Sequence, residues 1–435
     1  MTESSVAQST ADSSWTCPFC PLSCDHFGVA ASAGSEALTL QGGECQRASR
    51  ALAQFTGRPS EASPMVDTQP CDLASAVAAA ARLLDASRQP LFGGLGTDVA
   101  GARALYPLAC ATGAICDADA GEAQTQGLRA LQDRGGFTTT FAEVRTRADL
   151  IVFVGGVPSD LAPLIGPRCG IGDAQVPQRQ VLVLGPGAGD EALLAHWAGK
   201  GGVGVDTVPL HGDLFDALAL LCALVDDRDV PSAPDALRGL AKRLHAARYA
   251  VLVGAPARLP AQGALILEAV NRVVASLNRT TRAAVLWIGG GNGAATVNQV
   301  FAWLSGLPLR SRAGPAGLEH EPLAFDAARL LADGAVDALL WVASFDAGAV
   351  PPPHRLPMVV LGHPALAATL RRTGPTTVFI PVATPGIGSA GHLFRTDGTV
   401  LMPLQAVYRD RLPSVADVAG RIVSALRSIR EGDAA

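Results

Sequence analysis

The sequence predicts an α/β protein, doubly wound, with parallel sheets covered by helices on both faces. Three observations predict it. Seven apolar runs are continuous rather than alternating and stop at glycine or serine, as strands buried on both faces do. Helical patterns, some alanine-rich, fill the stretches between them. At 435 residues, 49% hydrophobic and 17% charged, the chain is long and apolar enough for more than one core. The net charge of −5 argues against a broadly cationic surface, so nucleic acid and anionic membranes are not expected partners. The longest apolar run, 217–225, falls short of the roughly 20 residues of a membrane span.

Taken in order, the polar residues 2–14 contain no signal-peptide core, and a cytoplasmic protein is expected. Residues 1–57 form a cysteine-rich module. Cys17, Cys20 and Cys24 lie in TCPFCPLSCD and Cys45 in GGECQRAS, a Cys-x2-Cys-x3-Cys-x20-Cys pattern. Close spacing lets one loop aim three thiolates at a common centre, and the fourth closes the coordination sphere. Four thiolates suit a [4Fe–4S] cluster or a tetrahedral zinc ion; the triplet favours the cluster, because zinc sites usually present two separated pairs. Unligated packed thiols are the third alternative. His26, beside Cys24, is expected on the surface. Cys71, Cys110, Cys116, Cys169 and Cys222 stand in apolar surroundings and read as small buried hydrophobes.

Residues 57–70 (GRPSEASPMVDTQP) read as a linker to a first α/β lobe at 71–230. Asp72 caps a helix running to Leu84, and strands follow at 90–96, 150–156 and 181–187. Asp213 opens a helix to Val225. The polar stretch 226–234 (DDRDVPSAP) then divides the lobes, so that a second one covers 235–435. Its elements are strands at 250–254, 284–291, 338–344 and 358–362, and helices at 263–277, 322–331 and 415–430. The glycine-rich segment 383–403 reads as an irregular, cofactor-facing loop.

Glycine at the carboxyl end of a parallel strand lets a phosphate approach backbone N–H groups at the next helix start. Two loops qualify: Gly185 and Gly187 in GPGAG, and Gly289, Gly290, Gly291 and Asn292 in GGGNG. Neither is a full dinucleotide fingerprint or a Walker loop, and a tight strand-to-helix turn uses glycine for steric reasons alone. No HExxH, GxSxG or Ser/His/Asp order is present.

The cysteine module ahead of Rossmann-like α/β lobes resembles the molybdopterin oxidoreductases. Within them the chain resembles the B subunit of formylmethanofuran dehydrogenase, on TCPFCPLSCD and on the segments at 128–160 (LRALQDRGG…FAEVRTRADLIVFVGG), 287–308 (WIGGGNGAATVNQVFAWLSGLP) and 391–404 (GHLFRTDGTVLMPL). The resemblance implies tungsten or molybdenum held by pterin guanine dinucleotides and a Cys or selenocysteine, with a histidine next to that ligand. Counting back from Ala130 in ALQD, those positions are Ala123 and Gln124. Alanine cannot ligate a metal, and a carboxamide cannot shuttle a proton as imidazole does. The chain is therefore most similar to the B subunit of the bacterial formyltransferase/hydrolase complex. That resemblance implies a redox-inactive polypeptide in tetrahydromethanopterin-linked formaldehyde oxidation. The implied partners are the A subunit, which is amidohydrolase-like, the C subunit and the D subunit, a formyltransferase, with a methanofuran-like carrier. Two other readings are weighed: an active molybdenum- or tungsten-pterin dehydrogenase, with Cys116 the nearest substitute ligand, and a free-standing nucleotide-binding protein with a zinc knuckle.

Overall fold

A computed structural model describes residues 14–31, 37–119, 121–260, 262–370 and 376–433. Most of the polar N-terminal stretch 2–14 lies outside the described residues. The seven continuous apolar runs become parallel strands, and two strands that no run marked, Gly204–Val208 and Thr377–Pro381, join them: in chain order β1 (Pro90–Gly96), β2 (Leu150–Val154), β3 (Gln180–Leu184), β4 (Gly204–Val208), β5 (Tyr249–Gly254), β6 (Arg282–Trp287), β7 (Ala338–Ala343), β8 (Met358–Gly362) and β9 (Thr377–Pro381). The principal helices are α1 (Leu73–Ala86), α2 (Val99–Thr112), α3 (Gly121–Arg134), α4 (Phe141–Arg147), α5 (Asp190–Ala198), α6 (Leu214–Val225), α7 (Asp235–Ala246), α8 (Gly263–Leu277), α9 (Ala294–Ser305) and α10 (Val415–Asp433). No helix of the described residues is long and apolar enough to cross a membrane.

The chain folds into two compact units. The first takes residues 1–114, 336–393 and 402–435. Its parallel strands run in the order β1-β7-β8-β9, and every residue of these strands is buried. Helix α1 packs on β8 and β9, α2 on β1, and α10 packs against both helices. The Asp72 carboxylate accepts from Ser75 N at 2.7 Å, and Asp98 from Gly101 N at 3.0 Å, so both helices start where a side chain satisfies a free N–H. In β1, Gly94 has φ +69°, and a Cβ there would lie 2.8 Å from both the Trp341 indole and Val342 O. The bulky ring of β7 thus requires glycine opposite it.

The second unit takes residues 115–335 and 394–401. Its parallel sheet has the order β6-β5-β2-β3-β4, so strand order reverses between β2 and β5. Leu218 and Leu221 of α6, Leu240 and Leu244 of α7, and Val270 and Val274 of α8 bury against Leu150, Val152 and Leu252 of the sheet. At about 2–3 kcal/mol for each fully buried large side chain, this cluster is the main stabilising feature of the unit. Asp213 caps α6 by accepting from Asp216 N at 2.8 Å. A small antiparallel ribbon, Ser311–Gly314 with Gly317–His320, pairs with Cys116 through Ser311.

Several expectations are corrected. The stretch 226–234 connects α6 to α7 inside the second unit and does not separate the units. The stretch 57–70 is not a free linker: Met65–Val66 and Gln69–Pro70 pair across a turn whose Asp67 and Thr68 have φ +48° and +71°, and Met65–Val66 pairs antiparallel with β9. The two positive φ values are those of a primed hairpin turn, which twists with its strands. The helix expected at 322–331 is Ala327–Ala332, because the Asp326 carboxylate caps it by accepting from Arg329 N at 2.8 Å. Segment 383–403 holds the strands Gly391–Phe394 and Leu401–Leu404. Among the five scattered cysteines, Cys116, Cys169 and Cys222 are buried, whereas Cys71 is half-buried and Cys110 exposed.

Candidate functional site

Two places gather the residues singled out by sequence. The first is the cysteine segment of the first unit. Cys17 N donates to Cys24 O at 2.8 Å and Ser23 N to Cys20 O at 3.2 Å, so the triplet folds back on itself in a tight loop. Ser23 takes φ +43° at the reversal. Cys17, Cys20 and Cys24 are buried, and half-buried Cys45 precedes the helix Gln46–Leu52. Burial pushes the Cys17 thiol well up, and the charges of Cys20, Cys24 and Cys45 push it further. Burial also raises Cys20, opposed by a backbone hydrogen bond at Leu22 and by the nearby Arg47 guanidinium. Arg47 Nε in turn donates to Phe19 O at 2.7 Å. Ionising Cys17 together with its neighbours is therefore costlier than ionising it alone, and a bound cation would offset that cost. The donor set has the right chemistry for a thiolate-held centre. Among the described residues, no group of three or more His, Cys, Asp or Glu side chains is drawn together as a metal site. His26 is exposed, its ring 4.2 Å from that of Phe27.

The second place is a cavity of 390 Å³ within the second unit, at the carboxyl ends of β5 and β6. Helix α3 supplies Ala123, Gln124 and Gly127, and α8 supplies Asn271. Trp287 and the Gly289–Gly290 turn come from the end of β6, and Asn298 from α9. The Thr396 hydroxyl closes one side, accepting from Gly289 N at 3.0 Å and donating to Trp287 O at 3.0 Å. Its loop is held in place by the Arg395–Asp397 ion pair (2.6 Å), whose Asp397 also accepts from Phe141 N. No lining residue carries an ionisable side chain. Neither Ala123 nor Gln124 offers a sulfur or imidazole donor, so the metal-ligand positions implied by the sequence resemblance do not fit tungsten or molybdenum. Cys116 is not among the lining residues; it sits in a short strand whose carbonyl accepts from Arg310 N at 2.7 Å.

The glycine loops differ from each other. Gly187 N donates to Asp190 Oδ2 at 2.8 Å, and Gly185 N donates to Val208 O at 2.9 Å. The chain's own carboxylate thus occupies the place where a phosphate would sit, and Asp190 is only 4% exposed. In the second loop, Gly289 and Gly290 line the cavity, whereas Gly291 and Asn292 do not. Gly290 has φ +69°, and a Cβ there would lie 2.4 Å from Ala295. This glycine is required by the close turn into α9. Asn292, at φ +53°, keeps a buried Oδ1 without a hydrogen-bond partner.

Sequence reasoning missed Arg310 and Asp117. The Arg310 side chain is 2% exposed, with Asp117 at 3.3 Å, Glu122 at 3.1 Å and Asp326 at 2.5 Å. Burial outweighs the Arg310 charge and pushes Asp117 up to about 6. No motif flags this cluster, since Arg310 and Glu122 are 188 positions apart.

No family model matches the chain. It is 32% identical to the B subunit of the formyltransferase/hydrolase complex Fhc of Methylorubrum extorquens, over 82% of this chain and 94% of that protein. It is 25% identical to the B subunit of a tungsten-containing formylmethanofuran dehydrogenase of Methanocaldococcus jannaschii, over 91% of this chain and 95% of that protein. Among solved structures it is similar to a chain of the crystal structure of the Methylorubrum extorquens complex with methylofuran. The TM-score is 0.71 and the identity 31%, covering 85% of this chain and 100% of that one.

Proposed function

Because the chain belongs to the family of B subunits of formyltransferase/hydrolase complexes and formylmethanofuran dehydrogenases, we propose that it is the redox-inactive B subunit of such a formyltransferase/hydrolase complex. In this role it assembles with an amidohydrolase-like A subunit, a C subunit and a formyltransferase D subunit in tetrahydromethanopterin-linked one-carbon oxidation, in the cytoplasm. One observation carries the redox-inactive part. Ala123 and Gln124, at the positions where a metal ligand and its histidine are implied, line an uncharged cavity and cannot ligate or relay a proton. In this reading the N-terminal segment is an iron–sulfur-type module before Rossmann-like lobes, with Cys17, Cys20, Cys24 and Cys45 holding a [4Fe–4S] cluster. Such a cluster, when bound, supplies thiolate–iron bonds that fix the loop. Gly289 and Gly290 line a cavity with no cation to meet a dinucleotide phosphate.

The alternative, a molybdenum- or tungsten-dependent dehydrogenase, needs a sulfur donor at the cavity; Cys116 is not in its lining. Co-expression of the tagged chain with its A, C and D partners tests the proposal. A stable complex with formyl transfer and hydrolysis but no dehydrogenase activity is expected. Ala123→Ser should leave the complex's activity within about twofold, since an added hydroxyl on an inert wall changes no catalytic contact. Failure to co-purify, or dehydrogenase activity, would contradict it.

A further inference from the structure

We draw no further inference here: the strongest candidate, the half-open apolar cavity of the second unit between α3, α8 and the end of β6, has Leu131 48% exposed in its lining, and nothing in the structure shows what covers or fills it.

Discussion

Asp117 and His363 are buried titratable side chains whose burial acts on stability in opposite directions. Asp117 lies beside Arg310 and is pushed up from 3.8 to about 6. Its contribution is full below pH 3.8 and is lost as pH rises through 6, because the unfolded chain gives up that proton first. His363, whose ring meets Phe55 edge-on at 4.9 Å, is pushed down by burial from 6.5 to about 4. Its contribution is full above pH 6.5 and is lost as pH falls through 4. Each effect is worth about 3 kcal/mol at most, and between them they flatten the profile. Urea titrations from pH 4 to 7 should show the stability of Asp117→Asn rising more steeply with pH than that of the parent chain. The slope for His363→Gln should be lower than the parent's instead. Parallel profiles for all three proteins would contradict the burial of both groups. At this scale the sequence was partly legible. Ala123 and Gln124 can be located because the ALQD segment fixes their positions. Asn271, Asp117 and Arg310 cannot, because their burial comes from chain brought in from far along the sequence.

At the scale of the elements, helix starts were the most legible, because a capping Asp acts within one turn. Asp213→Ala should cost about 1 kcal/mol, read as a shift of the unfolding midpoint at constant slope, since Asp216 N loses its acceptor. Strands buried on both faces, such as β2 and β8, were legible because nothing polar interrupts them. β4 (GVDTV) was not. It lies at the edge of its sheet with only Val208 buried, so its polar residues face solvent and resemble a loop. Glycine in β1 has a meaning the run PLFGGLG does not reveal. Gly94→Ala must take φ +69° and meet the Trp341 ring, and should cost about 2 kcal/mol or more, seen as a lowered unfolding midpoint. A cost below a few tenths would mean that the indole is free to move.

At the scale of the whole molecule, the parallel α/β class was legible and the division of the chain was not. The first unit is built from both ends of the chain, and the turn around Thr396 belongs to the second unit, far in sequence from the β6 end it closes. Composition shifts mark where a chain is polar, not which unit it rejoins, so the stretch 226–234 read as a boundary although it only links two helices. The cysteine quartet poses the remaining question at this scale. Cys20→Ser should lose any bound metal and lower the unfolding temperature, because ligand binding is coupled to folding of that segment. The most direct test of the redox-inactive assignment is metal and sulfide analysis of the anaerobically purified complex, per copy of this chain. The account predicts about four irons and no molybdenum or tungsten. Molybdenum or tungsten near one per chain would contradict it and make the protein a working dehydrogenase.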